Sequence, residues 1–116
     1  MAEPEIPPAP VAVPSAGRAV VGRALDAYAE LQLLGETIEE EWLYVTELGR
    51  VYRARLEDLG ERLGHGELPP ETAAAIDEAI AEIGLISDPH RAIDWLSTFP
   101  QVVALALGPA LAAAER

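Results

Sequence analysis

The feature that most constrains the fold of this chain is a seven-residue apolar repeat over residues 21–63. The first and fourth positions of its six heptads, and the residue that follows the sixth, hold apolar residues or glycine, namely Val21, Ala24, Tyr28, Leu31, Gly35, Ile38, Trp42, Val45, Gly49, Tyr52, Leu56, Leu59 and Leu63. This spacing places the side chains on one stripe of an α-helix, and such a stripe packs against a partner helix. The repeat therefore predicts a long helix with a helical neighbour.

Gly35 interrupts this repeat and leaves two models open. Glycine inside a helix costs roughly 1 kcal/mol relative to alanine, and Thr37 and Glu40 have the spacing of a capping box that would start a new helix. One model is a continuous helix over 17–63, and the other has helices over 17–34 and 38–63. Because the heptad phase is unchanged across Gly35, we expect the continuous helix, roughly 70 Å long at 1.5 Å per residue.

Three shorter helices are predicted after this segment. The Gly and Pro content of residues 64–70 indicates a turn. Isoleucine and alanine at helical spacing then favour a helix from about Pro70 to Ile83, with Gly84 just past its end as a C-cap. Since no segment alternates with period two, the chain is predicted to be an all-α helical bundle, with residues 17–116 forming one domain.

The last two of these helices are predicted from their proline residues. Asp88 followed by Pro89 is a typical helix start, with the aspartate as N-cap, and this helix runs to about Thr98. Pro100 then begins the final helix, which we expect to break near Gly108.

Residues 1–16 are expected to form an extended arm. They hold five of the ten prolines, which fix φ and remove backbone donors. Ile6, Val11 and Val13 make the arm less polar than a typical linker. Two roles remain open for it: wrapping a partner or sister subunit, or forming a mobile tail.

The charge balance excludes nucleic-acid binding. The chain carries 20 acidic and 8 basic residues, for a net charge of −12, and every basic residue is arginine. A protein that binds phosphates needs a basic surface, which this composition does not provide. We expect the acids to lie on the solvent faces of the helices. Arginine without lysine is also typical of a GC-rich genome.

The inventory of catalytic groups is small. There is no cysteine, and His65 and His90 are the two imidazoles. His65 lies in a glycine-flanked turn, whereas His90 and Asp94 are spaced to form a surface ion pair on one helix. We therefore predict no catalytic residues, no cofactor and no enzymatic activity.

The densest acidic cluster includes Glu36, Glu40 and Glu47. Glu40 and Glu47 fall opposite the apolar stripe, where carboxylates face water, and no Glu-x-x-His pair accompanies them. No metal site is predicted from this cluster. No glycine-rich phosphate loop lies between a strand and a helix either.

Targeting signals are not recognised in the sequence. Residues 1–10 carry no basic residue and are interrupted by prolines, unlike a secretory signal. The most apolar stretch, residues 99–114, is shorter than the roughly 20 residues that span a bilayer. We expect a cytoplasmic protein without a membrane span.

The apolar stripe also carries the functional prediction. A helix over 17–63 is too long to be covered by the short helices after it, so part of the stripe should pair with another chain, most simply a second copy. Residues 42–52 are apolar on several faces and should form the centre of the core or of an oligomer. The candidate interface residues are Val21, Tyr28, Leu31, Ile38, Trp42, Val45, Tyr52, Leu56, Leu59, Trp95 and Phe99.

We therefore expect a non-enzymatic protein-protein interaction module that self-associates through residues 21–63, as a scaffold, adaptor or accessory subunit of a larger assembly. Two alternatives remain. The first is an acidic mimic of nucleic acid that inhibits a basic protein, since net charge governs nonspecific association. The second is a small helical-bundle metal-binding protein that uses the glutamates near Trp42.

Overall fold

The computed structural model describes residues 16–115, which form a bundle of four α-helices. They are α1 (Gly17–Gly35), α2 (Trp42–Leu63), α3 (Pro70–Gly84) and α4 (Pro89–Ala114), with a 3-10 turn at Glu39–Glu41 before α2. The central pair is α1 and α4, each of which packs against the three other helices, and α2 and α3 lie on either side of it. The all-α prediction is confirmed. Residues 1–15 of the predicted arm lie outside the described residues.

The expectation of one continuous helix over 17–63 is wrong. The chain reverses after Gly35, and the start of α1 lies beside the end of α2, where the Gly17 amide donates to the Gly66 carbonyl at 2.9 Å. Thr37 does not cap α2. Its hydroxyl donates to the Leu34 carbonyl at 2.6 Å and so closes the end of α1. The two helices therefore form an antiparallel hairpin.

The heptad phase is the same in α1 and α2, and the hairpin explains why. Val21 and Tyr28 of α1 and Val45 and Leu56 of α2 are all buried in one core. Both helices pack against α4, so each needs its own apolar stripe. Equal phase across residues 36–41 therefore reports two buried faces and does not require a continuous helix.

Two glycines permit the close approach of the hairpin helices. A Cβ atom at Gly17 would lie 2.5 Å from the Leu63 Cβ atom, and one at Gly49 would overlap the side-chain amide of Gln32. Either contact would be far closer than packed atoms allow. Glycine at these positions lowers helix propensity but removes the steric barrier to helix contact.

The start of α4 agrees with its prediction. Asp88 is the N-cap, its Oδ1 atom accepts the His90 amide at 3.2 Å, and Pro89 occupies the first turn. Gly84 differs slightly from its predicted position. It is the last residue of α3, and Leu85 at φ −86° is the C-cap, so the helix ends without a left-handed glycine.

The predicted breaks at Pro100 and near Gly108 are wrong, because α4 continues through both prolines that it contains. A proline within a helix leaves the carbonyl four residues earlier without its usual donor. For Pro100 this is the Leu96 carbonyl, which accepts the buried Tyr28 hydroxyl at 2.7 Å. For Pro109 it is the carbonyl of Leu105, a residue that is 81% exposed, so water can serve as donor.

Because α4 is continuous over 26 residues, its length no longer argues against a membrane span. Within the described residues, α4 is the helix that is long enough, at 26 residues, and apolar enough, with a mean hydropathy of 1.5 over an 18-residue window, to cross a membrane. One face of α4, including Leu96, Val103 and Leu107, is buried in the bundle core. A core helix meets the same criteria of length and composition, so they are weak evidence for a span.

Candidate interaction surface

The predicted interface residues divide by burial. Six of them belong to the core of the bundle, namely Val21, Tyr28, Leu31, Val45, Leu56 and Phe99. Four are partly buried, namely Ile38, Tyr52, Leu59 and Trp95, and the last three of these pack against that core. Trp42 is 48% exposed. Within the single chain, the hairpin and the 26-residue α4 cover most of the 21–63 stripe, and self-association through this stripe stays a prediction.

Residues 42–52 do not form the centre of the core. Only Val45 and Gly49 are buried among them, whereas Trp42, Leu43 and Tyr44 are 48%, 76% and 56% exposed. These three residues form the first turn of α2 at the reversal of the hairpin, where no other helix covers them. The additional apolar residues that suggested several buried faces therefore reach the surface.

An apolar strip continues from this turn along one side of α2. We define the α2 strip as Tyr44, Leu48, Val51, Tyr52 and Leu59. Spacings of three, four and seven residues place them on one helix face, and apart from exposed Tyr44 they are half-buried. The strip covers 15 residue steps, or about 22 Å at 1.5 Å per residue.

An open groove lies between the second half of this strip and α4. The α2–α4 groove has a volume of about 490 Å³, within the range of roughly 300–1,000 Å³ typical of ligand sites. Tyr52 and Leu59 form its α2 wall, and Pro100, Gln101 and Ala104 form its α4 wall. The short side chain at Ala104 keeps the groove open between two otherwise packed helices.

Arginine side chains border the groove. The Arg55 guanidinium carbon lies 5.1 Å from the centre of the Tyr52 ring, within cation-π range. No carboxylate within residues 16–115 forms an ion pair with Arg55. Arg62, in contrast, pairs with Asp58 at 3.7 Å and with Glu115, whose hydrogen bond raises the pKa of this arginine. Arg55 is thus the cation available to a bound carboxylate.

A buried polar group lies between α1 and α2. The Gln32 side chain is 7% exposed, and its Nε2 atom donates to Glu36 Oε2 at 3.3 Å. The Thr46 hydroxyl donates to the same carboxylate oxygen at 2.8 Å. Gln32 Oε1 has no hydrogen-bond partner among the described residues. The heptad repeat did not identify Gln32 as a buried residue. Gly49, at the first position of a heptad, was the signal in the sequence that another side chain lies close to α2.

Replacing Gln32 with methionine is expected to raise the free energy of unfolding by about 1 kcal/mol. A buried acceptor without a partner costs about 1–3 kcal/mol, and methionine fills similar space without it. Urea denaturation followed by circular dichroism measures the change. Gln101→Met on the exposed face of α4 is the matched control and should stay within about 0.5 kcal/mol. A loss of stability on Gln32→Met would show that the amide contributes through its contact with Glu36.

The residues considered for catalysis are dispersed on the surface. His65 and His90 are both exposed. No ion pair joins His90 to Asp94 in the part of the chain that the structure describes. Across residues 16–115, no three His, Asp or Glu side chains are close enough together to hold a metal ion. The candidate functional surface therefore consists of the α2–α4 groove and the exposed first turn of α2.

The fold and this surface define the chain as a helical bundle with an apolar groove. Comparison with protein-family models gave no match. Searches of curated proteins and of solved structures gave none either.

Proposed function

We propose that this chain is a non-enzymatic protein-protein interaction module, acting as a scaffold, adaptor or accessory subunit of a larger assembly. The observation that carries the proposal is the apolar surface from Trp42 along the α2 strip to the α2–α4 groove. Exposed apolar patches rimmed by polar residues are characteristic of association surfaces. Trp and Tyr are also enriched among residues that dominate binding energy.

The shape of the groove suits an amphipathic helix of the partner. Two α-helices form its walls, and Tyr52 and Leu59 present bulky side chains opposite the small Ala104. A helix that lies in such a groove inserts apolar residues spaced by three, four and seven positions. The α2 strip is about 22 Å long, so it matches about four turns of a bound helix.

Charge adds a second requirement for the partner. Arg55 is positioned over Tyr52 and has no ion pair among the described residues. A carboxylate on the bound helix would pair with it at the rim of the groove. Elsewhere the net charge of −12 repels acidic proteins, so Arg55 favours one orientation of the helix by electrostatic complementarity.

Arg55→Glu is expected to lower affinity for the partner at least about tenfold, a change of about 1.4 kcal/mol. The measurement is quantitative co-purification from the native host with the wild-type chain and two variants as bait. Arg53→Glu is the matched control, because Arg53 is an exposed arginine on the opposite side of the same helix. A supporting partner is retained by the wild type and by Arg53→Glu and lost from Arg55→Glu.

Proteins retained equally by all three baits would contradict docking in the α2–α4 groove. Light scattering coupled to size exclusion extends the test to self-association, in which a second copy uses the same surface. In that case the mass of the wild type rises with concentration, and Leu43→Glu, at an exposed position of the same surface, remains monomeric. A wild type that is monomeric at every concentration would exclude the second copy as the partner.

A further inference from the structure

We propose that residues 1–15 of this chain dock in a second groove, at the end of the bundle where α1 begins. This terminal groove has a volume of about 440 Å³. Its walls are the α2–α3 loop with the first turn of α3 and the last turns of α4, including Leu68, Pro69, Thr72, Pro109, Ala110 and Ala113. The terminal groove is distinct from the α2–α4 groove, and this proposal does not depend on a partner protein.

The direction of the chain before α1 leads toward this groove. Ala16 forms an isolated antiparallel bridge with Glu67, and the Gly17 amide donates to the Gly66 carbonyl at 2.9 Å. In an antiparallel pair, moving toward the N-terminus on one segment corresponds to moving toward the C-terminus on the other. A chain that kept this direction before Ala16 would run toward Leu68 and Pro69, both of which line the terminal groove.

The chemistry of the segment fits side-chain docking better than a continued strand. A strand continued in the register of the Ala16–Glu67 bridge would have to pair Pro14 with Pro69, and neither proline has an amide hydrogen for a ladder. Val11 and Val13 supply apolar side chains close to the bridge. The alanines that end α4 give the groove a shallow wall that an extended backbone can approach closely.

The length of the segment favours the chain's own residues as the occupant. A proline-rich segment extends about 3.1 Å per residue, so Val13 can reach about 9 Å from Ala16 and the whole segment can reach about 45 Å. Covalent attachment at Ala16 gives Val11 and Val13 a high effective concentration at the groove. A separate partner would have to compete with this attached segment.

Disulfide trapping in the full-length chain tests the proposal. The chain contains no cysteine, so a Val13→Cys/Ala113→Cys variant has a single possible intrachain pair. Under dilute conditions with added oxidised glutathione, we expect the intrachain disulfide to form at least tenfold faster than in Val13→Cys/His65→Cys. His65 is the matched control, because it lies in the exposed turn close to the Ala16 bridge and does not line the groove. Intact mass and non-reducing electrophoresis give both rates.

Equal rates for the two pairs would overturn the proposal, because a free segment reaches both positions alike. A disulfide that forms between chains in dilute solution would also overturn it, by assigning the groove to the segment of a second copy. Adding Ala110→Asp to the first pair introduces a charge into the groove and should slow its trapping about tenfold. Circular dichroism of each variant verifies that the helices are retained.

Discussion

Tyr28→Phe is expected to lower the free energy of unfolding by about 1–3 kcal/mol, although it removes only one oxygen atom. The Tyr28 hydroxyl is the donor for the Leu96 carbonyl at 2.7 Å, in a fully buried position. Pro100 cannot supply the amide that this carbonyl would accept in an ordinary helix. The substitution therefore leaves a buried acceptor without a partner, which carries the full desolvation cost. Urea denaturation followed by circular dichroism measures it.

A double-mutant cycle separates this hydrogen bond from the general effect of the substitution. In a Pro100→Ala background, the new backbone amide can donate to the Leu96 carbonyl. Tyr28→Phe should then cost about 1 kcal/mol less than in the wild type. The same cost in both backgrounds would show that the hydroxyl does not compensate for the proline.

Alkaline pH provides an independent measurement on the same residue. Burial raises the pKa of the Tyr28 phenol well above its ordinary value of about 10. Above about pH 10 the unfolded chain therefore loses a proton that the folded chain retains, so stability falls as pH rises. The contribution approaches about 1.4 kcal/mol per pH unit. Tyr28→Phe should lack this pH dependence, because phenylalanine has no ionisable hydroxyl. Exposed Tyr44 and half-buried Tyr52 are present in both proteins, so the difference between the two proteins reports on Tyr28.

Phe99→Ala should have the largest effect on stability, about 3–5 kcal/mol. Phe99 is fully buried, and its ring lies 6.5 Å from the Tyr28 ring at an interplanar angle of 23°. Truncation removes its contacts and leaves a cavity among the helices. Since a domain of this size has a total stability of about 5–15 kcal/mol, this loss is a large part of the whole. Chemical denaturation gives the value.

Leu105→Ala is the control for Phe99→Ala, because it shortens a side chain that is 81% exposed on the same helix. Its effect should remain within about 0.5 kcal/mol. If Phe99→Ala does not fold, Phe99→Leu keeps the prediction measurable with a smaller cavity. A loss below about 1 kcal/mol for Phe99→Ala would contradict the placement of this ring in the core.

Local signals in the sequence predicted most of the helical structure. Asp88 and Pro89 specified the start of α4, and the apolar period specified which faces of α1 and α2 are buried. The period could not show whether the helix that covers these faces belongs to the same chain. Likewise, Pro100 predicted the start of a new helix, but α4 continues through it, and the Leu96 carbonyl accepts a hydrogen bond from Tyr28, 68 residues away in the sequence. Such compensation is tertiary and leaves no local pattern.

The candidate surface was predicted in part. Trp42 and Tyr52 were named as interface residues, but as members of a stripe that the hairpin mostly buries. Exposed Leu43 and half-buried Leu48 could not be distinguished by composition from core residues of α2. Whether an apolar side chain reaches solvent depends on the position of α4, which the sequence of α2 does not encode. The groove and the cation at Arg55 therefore became visible only in three dimensions.

The positions of Ala16 and Glu115, the two ends of the described residues, determine where a second domain or a surface can be joined to the bundle. Ala16 pairs with Glu67 just after α2, and Glu115 pairs with Arg62 in the last turn of α2. Both ends therefore leave the bundle on the side opposite Trp42. A fusion domain or a surface tether joined at Ala16 or Glu115 would leave the end of the bundle that holds Trp42 and Tyr44 facing outward. A short peptide joining Ala16 to Glu115 would permit a circular permutant that is opened elsewhere.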